Sequence, residues 1–189
     1  QCLQEVATGA GKTIITATLS NLVEKYGRTI VIVPNKDLVR QTFEDYENCG
    51  LDVGVYFGDK KDIGKTHTIC TWQSLNSLLK RTKTGDGDID AFIEDVICVM
   101  VDEVHQAKAE VLKDLLTGVF SHIPIRWGLT GTIPKSEWEF ASLKSSLGEV
   151  INKLAAKELQ DQGVLAKCHV NVVQTCETAD YPNYQSELK

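Results

Sequence analysis

Two rhythms of apolar and polar positions alternate along this chain. Thr29-Ile30-Val31-Ile32-Val33, closed by Pro34, and Val96–Val101 are continuous apolar runs. Runs of that length and make-up fit strands covered on both faces, as in parallel sheets. Leu3–Val6, Asp52–Phe57, Thr66–Cys70, Arg126–Leu129 and His169–Val173 are shorter strand candidates. Between them the spacing turns helical. From Lys12 to about Tyr26, Ile15, Leu19, Leu22 and Val23 recur three and four residues apart, and Gly27 stops the run. Lys36–Cys49, Trp72–Arg81 (with Leu75, Leu78 and Leu79), Glu110–Leu116, Ser136–Leu147 and Leu154–Gln162 read the same way. Strand and helix units alternating at this spacing predict an α/β domain with a mainly parallel sheet flanked by helices.

Composition narrows the classes. The chain has 189 residues, 42% of them hydrophobic, and a net charge of −6, which suits one ordered domain rather than a disordered segment. No apolar run approaches the ~20 residues that span a bilayer, so no membrane association is expected, and no leader peptide is visible at Gln1. Six dispersed cysteines lack metal-ligand spacing and point to reduced thiols in a cytoplasmic compartment. Thr82–Asp90 reads as a polar loop. Its Asp86-x-Asp88-x-Asp90 spacing misses the glycine and glutamate a calcium loop needs, because Ala91 and Ile97 stand there. A pI near 5.2 confines any nucleic-acid contact to a local patch.

Ala7-Thr8-Gly9-Ala10-Gly11-Lys12-Thr13 falls between a strand candidate and a helix candidate. Glycines let successive backbone N–H groups turn toward a phosphate, and the following helix offers its positive end to the same anion. Lys12 supplies a charge for the β/γ-phosphates and Thr13 a hydroxyl for Mg²⁺. Val6 stands where the strict phosphate-loop pattern has its first glycine. Val96–Val101 runs straight into Asp102-Glu103-Val104-His105, which brings two carboxylates to the carboxyl edge of a sheet, where ligands bind in open α/β folds. Asp102 suits the metal and Glu103 the attacking water, with His105 in reach of the next segment.

These motifs resemble the DExH-type superfamily 2 helicases. The stretch Ala7–Thr13 is similar to that superfamily's motif I, which does not require the first glycine, and Asp102–His105 to motif II. Leu129-Thr130-Gly131-Thr132 resembles motif III, with Gly131 where Ala or Ser is usual; Val33–Gln41 resembles motif Ia and Thr71–Leu75 motif Ib. The Thr71-Trp72-Gln73-Ser74 and Trp127–Thr132 wording looks closest to phage helicases of the UvsW type, which remodel branched DNA, in the cytoplasm of an infected host. The resemblance implies a RecA-like P-loop domain that binds ATP through Thr8, Gly9, Ala10, Gly11, Lys12 and Thr13, and Mg²⁺ through Thr13 and Asp102. Lys12, Asp102, Glu103 and His105 would be catalytic. Pro34, Arg40, Gln41, Thr71, Trp72, Gln73 and Ser74 would hold the sugar–phosphate backbone of single-stranded or branched DNA, and Thr130 and Thr132 would couple the two sites. Trp72, opening a helix beside Leu75, reads first as a core residue and second as a base-stacking one. Lys80, Arg81 and Lys83 read as a solvated helix end.

On this resemblance residues 1–150 form the first RecA-like domain, without the adenine-reading segment expected upstream. Residues 151–189 lead toward a second such domain, which would supply an arginine finger worth ~10³–10⁵ in rate. The chain alone is then expected to hydrolyse ATP weakly or not at all. Two other readings stay open: a nucleic-acid binding module switched by nucleotide without turnover, and a P-loop kinase acting on a small molecule.

Overall fold

The computed structural model describes residues 1–106, 109–134, 136–167 and 169–173. Among these residues eight strands form one sheet: β1 (Cys2–Val6), β2 (Arg28–Val33), β3 (Val53–Phe57), β4 (Lys60–Lys61), β5 (His67–Thr71), β6 (Val96–Val101), β7 (Ile125–Thr130) and β8 (Val150–Leu154). Their order is β4-β3-β5-β2-β6-β7-β1-β8. All neighbours run parallel except the two-residue β4, which pairs antiparallel with β3 at one edge.

The continuous apolar runs lie in the middle of the sheet because both of their faces are covered. On one face Ile30 and Ile32 of β2 and Val99 and Val101 of β6 pack with Leu75, Leu78, Phe92, Leu112, Leu115 and Leu143. Those come from helices α3 (Trp72–Thr84), α4 (Ile89–Ile93), α5 (Ala109–Thr117) and α6 (Glu137–Leu147). On the other face Val31, Val33, Cys98 and Met100 pack with Ala17, Val23, Val39 and Tyr46, from α1 (Lys12–Val23) and α2 (Lys36–Asn48). The two-residue period of a strand is thus split between two cores. This is the RecA-like α/β architecture expected from the sequence, with helices on both faces.

Local chemistry fixes where helices start. Asn35 Oδ1 accepts the N–H groups of Asp37 and Leu38 at 3.1 and 2.9 Å to open α2. Thr71, the last residue of β5, accepts Ser74 N–H at 3.3 Å and turns that strand directly into α3. Gly85, in the left-handed region at φ 85°, ends α3.

Several expectations are corrected. The polar segment 82–90 is not one loop: α3 runs on to Thr84, and Asp88 Oδ1 caps α4 through Ala91 N–H at 2.9 Å. Val150–Leu154 is an edge strand, leaving only Ala156–Asp161 as the last helix, α7. His169–Val173 is not a strand; Val170, Val172 and Val173 are all exposed and pair with no strand among the described residues. Leu22, counted toward the buried face of α1, is 64% exposed, and small residues (Thr16, Ala17, Ser20) take that face instead. Cys168, Cys176 and the polar Tyr181–Lys189 lie outside the described residues. No helix among the described residues is long and apolar enough to cross a membrane.

Candidate functional site

Parallel strands carry their carboxyl ends to one edge of the sheet, and the loops after β1, β6 and β7 meet there. The loop after β1 turns on Gly9 and Gly11, both at φ 83°. Among the described residues nothing lies within 4 Å of the place a Cβ on Gly11 would take, so its glycine answers a backbone need rather than crowding. Gly11 is also the N-cap of α1, and no side chain among the described residues caps that helix. Its first-turn N–H groups are left for an external acceptor, the arrangement that receives an anion.

Lys12 opens α1 and turns inward, only 8% exposed, with its Nζ 2.6 Å from Glu103 Oε1. Beyond this ion pair the buried ammonium has no hydrogen-bond partner among the described residues. An ammonium has three donors, so it retains capacity for a second anionic partner. Glu103 reaches it by a special backbone: φ is 49°, left-handed for a residue with a side chain. Such a conformation costs of order 1–2 kcal/mol and persists where surrounding contacts demand it.

The demand is visible around it. Glu103 N–H donates to Asp102 Oδ1 at 2.9 Å, and Glu103 Oε2 accepts Gly131 N–H at 3.4 Å. Burial pushes the Asp102 carboxyl above its ordinary range and the adjacent Glu103 adds to the rise, against the opposing pull of Lys12. Asp102 therefore lacks a full counter-charge, and a cation there would supply one. The Asp102 carboxylate and the Thr13 hydroxyl are oxygen donors of the kind a hard divalent ion takes.

His105 and the loop after β7 extend the network. Thr130 is fully buried; its hydroxyl donates to the Thr132 carbonyl at 2.7 Å and accepts Thr132 N–H at 3.2 Å. His105 Nδ1 sits 2.7 Å from the same oxygen and 3.4 Å from Glu103 Oε2. With the hydroxyl proton directed at the Thr132 carbonyl, an imidazole protonated on Nδ1 would donate to both oxygens. Gly131, the departure within this loop, has a local reason: a Cβ there would lie 3.1 Å from Thr8 Oγ1 and 3.5 Å from Lys12 Nζ. The loop after β7 is packed against the phosphate loop.

A second site lies at the same edge, beyond β2. A cavity of about 580 Å³ has Pro34, Thr71, Gln73 and Ser74 in its wall. Gln73 Nε2 donates to the Pro34 carbonyl at 3.2 Å, joining the loop after β2 to the start of α3. Other expected residues stand elsewhere. Arg40 and Gln41 are exposed on α2 and do not line the cavity; Arg40 pairs with Asp37 at 3.2 Å. Trp72 is half-buried and packs on the core, its first reading. The structure adds Lys36, Lys61 and Arg81 to the wall. Arg81 is half-buried and donates to the Tyr56 hydroxyl at 2.8 Å, so it is not the freely solvated helix end the sequence suggested.

Comparison with known proteins gives a family and a fold. Residues 1–135 match the family model of the type III restriction enzyme res subunit. The chain is 31% identical over 149 residues to the ATP-dependent DNA helicase Hel308 of Pyrococcus abyssi, covering 71% of this chain and 20% of that protein. It is 26% identical over 171 residues to the XPB helicase/translocase subunit of the general transcription and DNA repair factor IIH of Danio rerio, covering 84% and 21%. The UvsW helicase of bacteriophage T4 superposes with a TM-score of 0.66 at 18% identity, over 80% of this chain and 54% of that one, a likeness of fold. The chain spans about a fifth of the length of these curated relatives.

Proposed function

Since the chain belongs to the type III restriction enzyme res-subunit family, a superfamily 2 helicase ATPase domain, we propose that it is the first ATPase domain of an ATP-dependent DNA helicase or translocase. One observation carries the reading: Lys12 of the phosphate loop and Glu103 of the acidic strand end meet at 2.6 Å, although 91 positions (103 − 12) separate them. Two motifs that each have ordinary explanations become one site.

In this reading Gly9, Ala10, Gly11 and the first turn of α1 cradle the β- and γ-phosphates of ATP, with Thr8 at the mouth of the loop. The γ-phosphate offers Lys12 a second anion, and Lys12 turns from Glu103 toward it. Glu103 is then free to accept a proton from the attacking water, an effect worth ~10²–10⁴-fold. Thr13 and Asp102 would hold Mg²⁺, which neutralises charge on the phosphates. His105 ties Glu103 to Thr130, so a change at the γ-phosphate reaches the loop after β7 through hydrogen bonds already formed.

Pro34, Thr71, Gln73 and Ser74 line the groove that would hold the DNA backbone, where hydroxyl, amide and backbone donors fix position without reading sequence. Arg40 and Gln41, exposed on α2 outside the cavity wall, would meet the strand beyond this groove, while Trp72 packs on the core. A second RecA-like domain of the full-length chain would complete the ATP site. Branched DNA is the finer proposal and rests on the wording of Thr71–Ser74 and Trp127–Thr132. Free thiols at Cys70 and Cys98 suit a cytoplasmic place of action.

The test is ATP hydrolysis by the full-length protein with single-stranded, duplex and branched DNA and with RNA. DNA-stimulated turnover that disappears in Lys12→Ala is expected, strongest with branched DNA. DNA binding with no stimulated hydrolysis would instead favour a nucleotide-switched binding module.

A further inference from the structure

Two of the three cations in the wall of the cavity beyond β2 lie outside the helicase motifs. Its wall holds three cations, Lys36, Lys61 and Arg81, and no carboxylate among the described residues. In a chain of net charge −6 this is a local reversal of sign. The cations come from three elements. Lys36 is the first residue of α2, Lys61 ends the β3–β4 hairpin, and Arg81 lies in the third turn of α3. Helices α2 and α3, of 13 residues each, both begin at the cavity, at Asn35 and Thr71. Their positive ends add to the same field.

Arg81 is also aimed. Its terminal nitrogen donates to the Tyr56 hydroxyl at 2.8 Å, and Tyr56 is only 6% exposed, packed on Phe92 with ring centroids 5.0 Å apart. A guanidinium held by a buried tyrosine loses little freedom when it meets a ligand. The hairpin is held too: Gly58, at φ 54°, turns the chain so that Phe57 and Lys60 pair. Gly58 also lies beside Lys36, whose Nζ would be 3.9 Å from a Cβ there.

We propose that Lys61 of the hairpin and Arg81 of α3, with Tyr56 as the positioning residue, form a clip for a backbone phosphodiester of the bound strand. This rests on the nucleic-acid reading above and extends it to residues outside the helicase motifs. The clip grips phosphate and reads no base. It engages the strand past the point where Thr71, Gln73 and Ser74 engage it, and so lengthens the footprint toward β4.

The experiment measures binding of a single-stranded oligothymidylate to the full-length protein across a salt series. Removing one cation that neutralises a phosphate of single-stranded DNA flattens the slope of log affinity against log salt by about 0.7. Lys61→Ala and Arg81→Ala are each expected to flatten it by that amount and to weaken binding about tenfold, the worth of one charge-assisted hydrogen bond. Tyr56→Phe keeps every charge and is expected to weaken binding while the slope stays as in the wild type. Lys25→Ala, at the opposite end of the strands, controls for charge alone. If Lys61→Ala and Arg81→Ala change binding no more than Lys25→Ala does, the clip is wrong while wild-type DNA binding stands. If the wild-type protein shows no salt-dependent binding, the nucleic-acid reading fails and the clip falls with it.

Discussion

At the scale of single residues, the site is a set of charges held slightly out of balance. Lys12 pairs with Glu103. Replacing Glu103 with Gln removes that pairing and the proton acceptor together. The full-length Glu103→Gln protein is expected to bind ATP at least as tightly as the wild type and to lose ~10²–10⁴-fold in turnover. Retained turnover would overturn the role given to Glu103. Asp102 shows what such a site costs in stability. Its carboxyl is raised by burial first and by Glu103 second. A carboxyl that holds its proton more tightly folded than unfolded makes the fold less stable as pH climbs from about 3.9 through the raised value. Asp102→Asn should therefore melt higher than the wild type at pH 7 without nucleotide, by about 2–4 °C for each ~1 kcal/mol recovered. The gap should close below pH ~3.9, where both side chains are neutral. A lower melting temperature at pH 7 would contradict that account. The phosphate loop and the acidic pair were legible from spacing because each motif is contiguous. Tyr56, Lys61 and Arg81 share no spacing, and only the packing of β3, the hairpin and α3 brings them together.

Among the elements, legibility followed burial. Strands β2 and β6, covered on both faces, appear in the sequence as unbroken apolar runs and match the observed strands within one residue. Edge elements left no such trace. Three of the five β8 residues are exposed, so Val150–Leu154 lacks a strand's apolar run, and the two lysines of β4 look like any polar turn. The reverse error came at His169–Val173, where β-branched residues suggested a strand; composition alone does not pair a strand with a neighbour. Strand β7 yields a sharper test. Gly128 faces Leu147 of α6 and Leu3 of β1, and a Cβ there would lie 2.6 and 2.8 Å from their methyl carbons. Gly128→Ala should lower stability by about 1–3 kcal/mol through overpacking. The urea midpoint should fall with little change in slope. An unchanged midpoint would mean that α6 gives way freely.

For the molecule as a whole, the alternation of strands and helices predicted the layers, but not the order β4-β3-β5-β2-β6-β7-β1-β8. That order depends on which crossovers pass over which face, and periodicity is silent about it. The order has a bearing on how the chain acquires its shape. Strand β1 sits between β7 and β8, with Leu3 opposite Gly128 and Val150. A nascent chain leaving the ribosome makes β1 before any partner for it exists. The hairpin and the β2, β5 and β6 ladder can assemble from nearer segments while β1 waits, since distant pairings close late. Pulse-labelled amide exchange during refolding should find β2 and β6 protected before β1. On that timetable the loop that turns on Gly9 and Gly11 is braced only once β7 and β8 dock beside β1, so the proposed nucleotide site takes shape late.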